Sequence, residues 1–380
     1  MISFAVFYQN SIETEIRVLD TIINKLVADN KNIKIYYFIS EKIKFNYVKN
    51  SHIHLCPNLK YLVKMSSDRI YQNFLQFCIK KKIQFAFIYR LNLPEFFLND
   101  LNFYKKLDTK FILMDQSYSL VKDSPVRSNV VLKIIKHQNI KKFIFDSPNG
   151  GESNGPKYFE KYTKKLKQKI VKWHQWRDSE PQVLNRNKCR KKLNLPNNKF
   201  IILFFGAPFY GKGIDIIISA FKYLNKDFFL LLSSNLKIVN FEYNFHNLKK
   251  YKKFKSIKVI DRYVSTKERE NIFGAADVVC LPYRKSYLYH SSAVLTESVL
   301  FNKFFIAPNF DPFNQFVNKY KNLGLLFKAE NIKSLVDKIK ESKKIYLNKN
   351  YKKDREKYLK NSIEANNLHK VILNVINSSI

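Results

Sequence analysis

Phe204-Phe205-Gly206-Ala207-Pro208-Phe209-Tyr210-Gly211-Lys212-Gly213-Ile214-Asp215 follows an all-apolar run and leads into an apolar-periodic stretch. A glycine-bearing turn between a strand and a helix, with a lysine in it, is a place where a phosphate is held. Backbone N–H groups and the helix N-terminus converge there. Gly206-x4-Gly211-Lys212 nearly spells the phosphate loop of nucleoside triphosphatases, but Gly213 stands where a Ser or Thr hydroxyl would hold magnesium. An ordinary tight turn is the alternative reading, and it leaves the lysine unexplained.

Outward from this turn, short runs rich in Ile, Phe and Tyr alternate with longer amphipathic stretches, the pattern of strand-helix-strand units feeding a parallel sheet. In the second half it predicts strands near 199–205, 228–233, 257–261, 277–281, 303–307 and 324–327, with helices near 213–224, 266–275, 291–301 and 330–344. In the first half it predicts strands near 2–8, 33–39, 84–89, 111–115 and 142–146, with helices near 12–28, 69–81 and 95–107. Two α/β domains follow, 1–185 and 186–354. A helical stretch within 355–380 lacks a strand of its own and could pack anywhere, the first domain included.

Composition bounds the function. With 46% hydrophobic residues, 33 Phe and 23 Tyr in 380 residues, the chain is no disordered tail. Its net charge of +37 attracts anionic partners such as phosphates, nucleic acid or acidic lipid, although a chain so rich in Lys and Asn and so poor in Gly owes part of that charge to AT-rich coding. Cys56, Cys78, Cys189 and Cys280 form no C-x-x-C pair, and His52, His54, His137 and His174 form no spaced cluster, so a reduced compartment and no zinc site are expected. The N-terminal run has no basic region ahead of it and reads as a strand rather than a leader; no run nears the ~20 residues that cross a bilayer. The expected location is the cytoplasm, with contact at most to the membrane's inner face.

The least globular stretch is 148–198, where Ser-Pro-Asn-Gly-Gly marks a loop and the interdomain linker is expected near 180–188. Residues 151–200 carry 14 basic against 4 acidic side chains. Phe159, Tyr162, Leu166, Ile170 and Trp173 recur at helical spacing, with Lys157, Lys161, Lys164, Lys165, Lys167, Lys169 and Lys172 on the remaining faces. A basic amphipathic helix ending in Trp173 and Trp176 is expected. Its Lys161, Lys164, Lys165, Lys172, Trp173 and Trp176 would meet an anionic membrane surface. A surface helix with its stripe on the core fits the same spacing.

A second informative segment runs Ala275-Ala276-Asp277-Val278-Val279-Cys280-Leu281-Pro282-Tyr283-Arg284, then through His290 to Ser291-Ser292-Ala293-Val294-Leu295-Thr296-Glu297. A buried strand enters a loop, and the loop a helix capped by Ser291 or Ser292, whose free amides face the carboxyl edge of the sheet. Glu297, more than a turn into that helix, could accept from ribose hydroxyls or lie solvated on the outer face.

In this order the two segments resemble the nucleotide-binding domain of retaining glycosyltransferases of GT-B architecture, the group 1 glycosyl transferases. The resemblance spans roughly 199–345 at motif level. It implies two Rossmann-like domains facing each other across a cleft and a nucleotide-sugar donor. Lys212 would grip the donor diphosphate, the loop from Pro282 to Ala293 would hold sugar and phosphate, and Glu297 would contact the ribose. The donor-binding set is then Gly206, Lys212, Gly213, Pro282, Tyr283, Arg284, His290, Ser291, Ser292, Ala293 and Glu297, with Lys212, Glu297 and Asp115 as catalytic residues. No metal and no cofactor is expected.

Three departures from the family pattern stand out. The arginine common before the lysine is missing among Ala207, Pro208, Phe209 and Tyr210; the glutamate eight positions before Glu297 is Tyr289; and the first domain reads Tyr8-Gln9-Asn10-Ser11 and Met114-Asp115-Gln116 where a glycine-rich loop and a histidine are common. Asp115, at a strand end, is the carboxylate placed to touch a hydroxyl, or to cap the backbone. The expected activity is hexose transfer from a UDP- or GDP-sugar to a hydroxyl of a cell-envelope glycan or lipid-linked acceptor, with anomeric retention. The alternatives are a nucleic-acid binder, though no nucleic-acid motif is present, and a glycosyltransferase-like scaffold without activity.

Overall fold

The computed structural model describes residues 1–8, 13–40, 51–56, 69–91, 94–115, 125–146, 166, 168–173, 183–235, 255–288, 292–345, 349–365 and 368–379. Two compact units emerge: Met1–Asp178 with Ile363–Ile380, and Ser179–Ser362. The fold class is α/β, as the alternation of short apolar runs and amphipathic stretches implies.

The first unit is built on a parallel sheet of β1 (Ile2–Tyr8), β2 (Ile33–Ser40), β3 (His52–Cys56), β4 (Phe85–Tyr89), β5 (Lys110–Asp115), β6 (Ile140–Asp146) and β7 (Ile170–Trp173), in the order β3-β2-β1-β4-β5-β6-β7. Helices α1 (Glu13–Asp29), α2 (Arg69–Lys80), α3 (Pro94–Phe103) and α4 (Pro125–Lys136) supply the crossovers that parallel pairing requires. The inner strands are apolar without alternation because both faces are covered: Phe85 to Tyr89 are all buried.

In the second unit, α5 (Arg186–Lys192) precedes β8 (Phe200–Phe205), α6 (Ile214–Phe221), β9 (Phe228–Ser233), β10 (Ile257–Ile260), α7 (Thr266–Ala275), β11 (Val278–Cys280), α8 (Ala293–Leu300), β12 (Phe304–Pro308), α9 (Phe313–Lys319), β13 (Gly324–Phe327), α10 (Ile332–Ile345) and α11 (Lys349–Ala365). Its sheet is parallel in the order β10-β9-β8-β11-β12-β13, so the order reverses between β8 and β11. The expected terminal helix is two: after α11, helix α12 (Leu368–Asn377) returns to the first unit. There Leu368, Ile372, Val375 and Ile376 join the core with Leu19, Ile23 and Leu26 of α1, and His369 Nε2 lies 3.2 Å from Asp29.

The expected helix through 157–176 is corrected at its C-terminal end. Residues 170–173 are the edge strand β7, in register Phe143↔Ile170 to Asp146↔Trp173. Adjacent β-branched Ile170 and Val171 suit a pleated edge, and the spacing of Ile170 and Trp173 fits a helix only by coincidence. Lys169, assigned by periodicity to a solvated face, donates instead to the carbonyls of Ile135 and His137 at 3.1 and 3.0 Å, where α4 ends. Lys157, Lys161, Lys164, Lys165, Lys167 and Trp176, and the side chains of Lys172 and Trp173, lie outside the described residues.

The basic excess of 151–200 is in part structural. Arg190, fully buried, donates to the carbonyls of Ala275, Pro196, Asn197 and Lys199 and to Asp277 Oδ2 at 2.6 Å. Arg186 reaches Asp277 Oδ1 at 2.7 Å, and the Ile201 N–H donates to Asp277 Oδ2 at 2.6 Å. This buried group ties α5 to the starts of β8 and β11. Asp277→Ala would leave Arg190 charged and buried without its carboxylate, and is expected to cost about 3–5 kcal/mol. Urea unfolding of the variant measures this; a midpoint equal to wild type would contradict it.

Candidate active site

β8 and β11 are neighbours at the reversal point of the second sheet, and in open α/β sheets ligands bind beyond the carboxyl ends of such strands. Leaving β8, the chain turns at Gly206 (φ +125°), forms a 3-10 turn at Tyr210–Lys212, and enters α6 through Gly213 in the left-handed region (φ +63°). Leaving β11, it passes Pro282, Tyr283 and Arg284 and forms a second 3-10 turn at Lys285–Tyr287. The two loops touch. A Cβ on Gly213 would sit 1.9 Å from the Pro282 carbonyl oxygen, so glycine is required there by both φ and space. The Arg284 N–H donates to the Gly211 carbonyl at 2.9 Å.

Lys212 Nζ donates to Tyr283 Oη at 2.9 Å and to Tyr287 Oη at 3.0 Å, and stands 4.1 and 4.4 Å from the centroids of the same two rings. Tyr283 Oη is in turn 3.2 Å from Ser292 Oγ, which caps α8 by accepting from the Leu295 N–H. The lysine of one loop is thereby linked through a phenol to the helix start that follows the other. Burial by itself lowers the Lys212 pKa; the two phenol oxygens more than offset this, and the net shift is upward. Burial pushes the Tyr283 phenol up, against the pull of Lys212.

Arg284, 8% exposed, is held differently. Its guanidinium donates to the Tyr210 carbonyl at 2.8 Å and to Asp215 Oδ2 at 2.5 Å, stacks 4.1 Å from the Tyr210 ring centroid, and approaches Glu330 at 3.6 Å. The residue clamps the lysine turn, and its charge is matched by carboxylates.

Glu297 is 2% exposed, with Arg269 Nη1 of α7 3.4 Å from its Oε1. A solvated outer-face carboxylate is therefore ruled out.

Of the residues singled out in the sequence, Gly206, Lys212, Gly213, Pro282, Tyr283, Arg284, Ser292 and Ala293 converge on one sheet edge; a Cβ on Gly206 would be 3.8 Å from Val294 of α8. His290, Ser291 and Tyr289 lie outside the described residues. Asp115 ends β5 in the first unit, opposite Phe145, and its side chain is likewise outside the described part. Tyr287, Tyr210, Asp215 and Arg269 are additions that spacing did not single out, although Tyr283 and Tyr287, four apart in a short basic loop, were a visible signal. Among the described residues no group of three or more His, Cys, Asp or Glu could hold a metal ion.

The fold is the GT-B architecture that solved glycosyltransferases share. Residues 185–370 match the family model of the glycosyl transferases, group 1. Among solved structures it is similar to Anabaena HepE in complex with UDP (TM-score 0.69, 12% identity, 100% of each chain covered). It is also similar to a glycosyltransferase from Rickettsia africae (TM-score 0.66, 16% identity, 98% of this chain and 97% of that one). A third is the lipopolysaccharide outer core galactosyltransferase WaaB in apo form (TM-score 0.67, 11% identity, 100% of each chain). No curated protein sequence matches the chain.

Gly213→Ala tests the geometry. The strained φ alone costs about 1–2 kcal/mol, and the methyl meets the Pro282 carbonyl. A lower thermal midpoint is expected, and an unchanged one would mean that the loops do not meet as described.

Proposed function

We propose that the protein transfers a hexose from a UDP- or GDP-linked donor to a hydroxyl of a cell-envelope glycan or lipid-linked acceptor, with retention of anomeric configuration. One observation carries the donor half of this reading: the Lys212 ammonium is tied through Tyr283 to the capping serine of α8 at the carboxyl edge of the sheet. The nucleotide complexes of HepE, with UDP and with UDP-glucose, support a nucleoside diphosphate as the ligand. The activity named for WaaB supports a glycan acceptor.

Cleavage of the bond between the sugar C1 and the diphosphate oxygen builds negative charge on the leaving group. A cation already in place and helix amides aimed at that oxygen stabilise it without reorganising during the reaction. Lys212 supplies the cation and the first amides of α8 supply the dipole end. Glu297, held by Arg269, is the carboxylate for the ribose hydroxyls. The reaction in this proposal uses no cofactor, the nucleotide sugar being the substrate.

Attachment to an acidic membrane surface on the cytoplasmic side belongs to the same proposal and rests on charge: +37 overall, with the basic excess of 151–200. Among the described residues no helix is long and apolar enough to cross a membrane. Co-sedimentation with acidic vesicles that falls as salt rises is expected; equal binding to neutral vesicles would contradict it.

A thermal-shift panel of UDP-, GDP- and ADP-sugars identifies the donor, since a ligand that binds only the folded state raises the midpoint. With that donor, Lys212→Ala is expected to lose on the order of 2–4 kcal/mol of transition-state stabilisation, read as kcat/KM. Glu297→Gln is expected mainly to raise the donor KM. Wild-type turnover by both variants would place the chemistry on other residues, and donor binding without turnover by the wild type would favour an inactive scaffold.

A further inference from the structure

Two cations meet at the lysine turn, and their surroundings differ. Arg284 is matched by Asp215 and Glu330. The partners of the Lys212 ammonium are the hydroxyls and π-faces of two tyrosines. A carboxylate would hold a lysine more tightly, but it would cancel the charge that an incoming anion needs. A phenol oxygen and a ring face attract an ammonium through a dipole and a quadrupole, which fix its position and leave its unit charge in place.

We propose that Tyr283 and Tyr287 form a neutral cradle that positions the Lys212 ammonium for an anionic ligand oxygen while leaving its charge intact. Three features make the cradle rigid. Tyr283 is 1% exposed, and its ring packs 5.7 Å from Phe313 and 4.4 Å from Tyr287, centroid to centroid. Its hydroxyl is anchored to the α8 cap through Ser292. Tyr287 is fixed by its own 3-10 turn, whose start at Arg284 is bonded to the lysine turn. A long lysine stem loses much rotamer freedom when it engages a ligand. The cradle removes that freedom beforehand, at a site where the sequence has Phe209 and Tyr210 in place of a second turn-borne cation.

The two tyrosines are positioning residues: they act through Lys212. The proposal rests on the donor-site reading, and a double-mutant cycle separates the two. Equilibrium binding of inorganic pyrophosphate and of UDP to the full chain is measured by calorimetry for wild type, Tyr287→Phe, Tyr283→Phe, Lys212→Met and Lys212→Met/Tyr287→Phe. Tyr287→Phe keeps the ring and removes the acceptor, and is expected to weaken both probes about tenfold, the worth of one hydrogen bond to a charged group. In the Lys212→Met background the same change is expected to have no effect, because the ammonium it served is gone. Tyr287 is only half-buried, so this variant retains its fold even where Tyr283→Phe loses stability. An equal loss in both backgrounds, or no loss in either, overturns the cradle while leaving the donor site standing. Failure of the wild type to bind either probe overturns both.

Discussion

The site depends on one close approach: the backbone of Gly213 against the Pro282 carbonyl. Any side chain at 213 would collide with that oxygen, and any residue but glycine would resist the left-handed turn that sends the chain into α6. Because the two backbones meet there, the loops leaving β8 and β11 share one surface, and side chains 71 residues apart in sequence lie within hydrogen-bond distance. The parallel sheet places both loops on one edge; the glycine lets them touch.

From that contact the electrostatics follow. The chain carries +37 overall, yet several of its described cations have local work in the fold. Arg190 and Arg186 neutralise Asp277, Lys169 caps α4, and Lys303 donates to the carbonyls of Gly274 and Ala276, with burial first among the causes that bring its pKa down to about 8. Arg284 clamps the lysine turn. Lys212 is set apart because its described partners are phenols, and that is the condition under which an ammonium remains available to a phosphate.

Much of the architecture was legible because buried parallel strands are short apolar runs and their crossovers are amphipathic. The runs at 200–205, 228–233 and 304–308 announced themselves that way. What escaped had weaker local signals. β3, with His52 and His54, is a polar edge strand. β7 shares a spacing that also fits a helix. α5 is a basic heptapeptide that only the buried pairing of Arg190 with Asp277 explains. In the site, the glycines and Lys212 were readable from motif order, because backbone conformation and phosphate chemistry restrict residue type. The clamp made by Arg284 and Asp215 and the pairing of Glu297 with Arg269 join residues far apart in the chain, and such pairs appear only once the sheet order is known.

The most direct measurement is a diffraction structure of the chain with UDP bound. The account predicts a β-phosphate oxygen about 3 Å from Lys212 Nζ, at the start of α8, with Lys212 still seated between Tyr283 and Tyr287. An ordered UDP whose phosphates lie out of reach of Lys212, or one bound away from the carboxyl ends of β8 and β11, would contradict it.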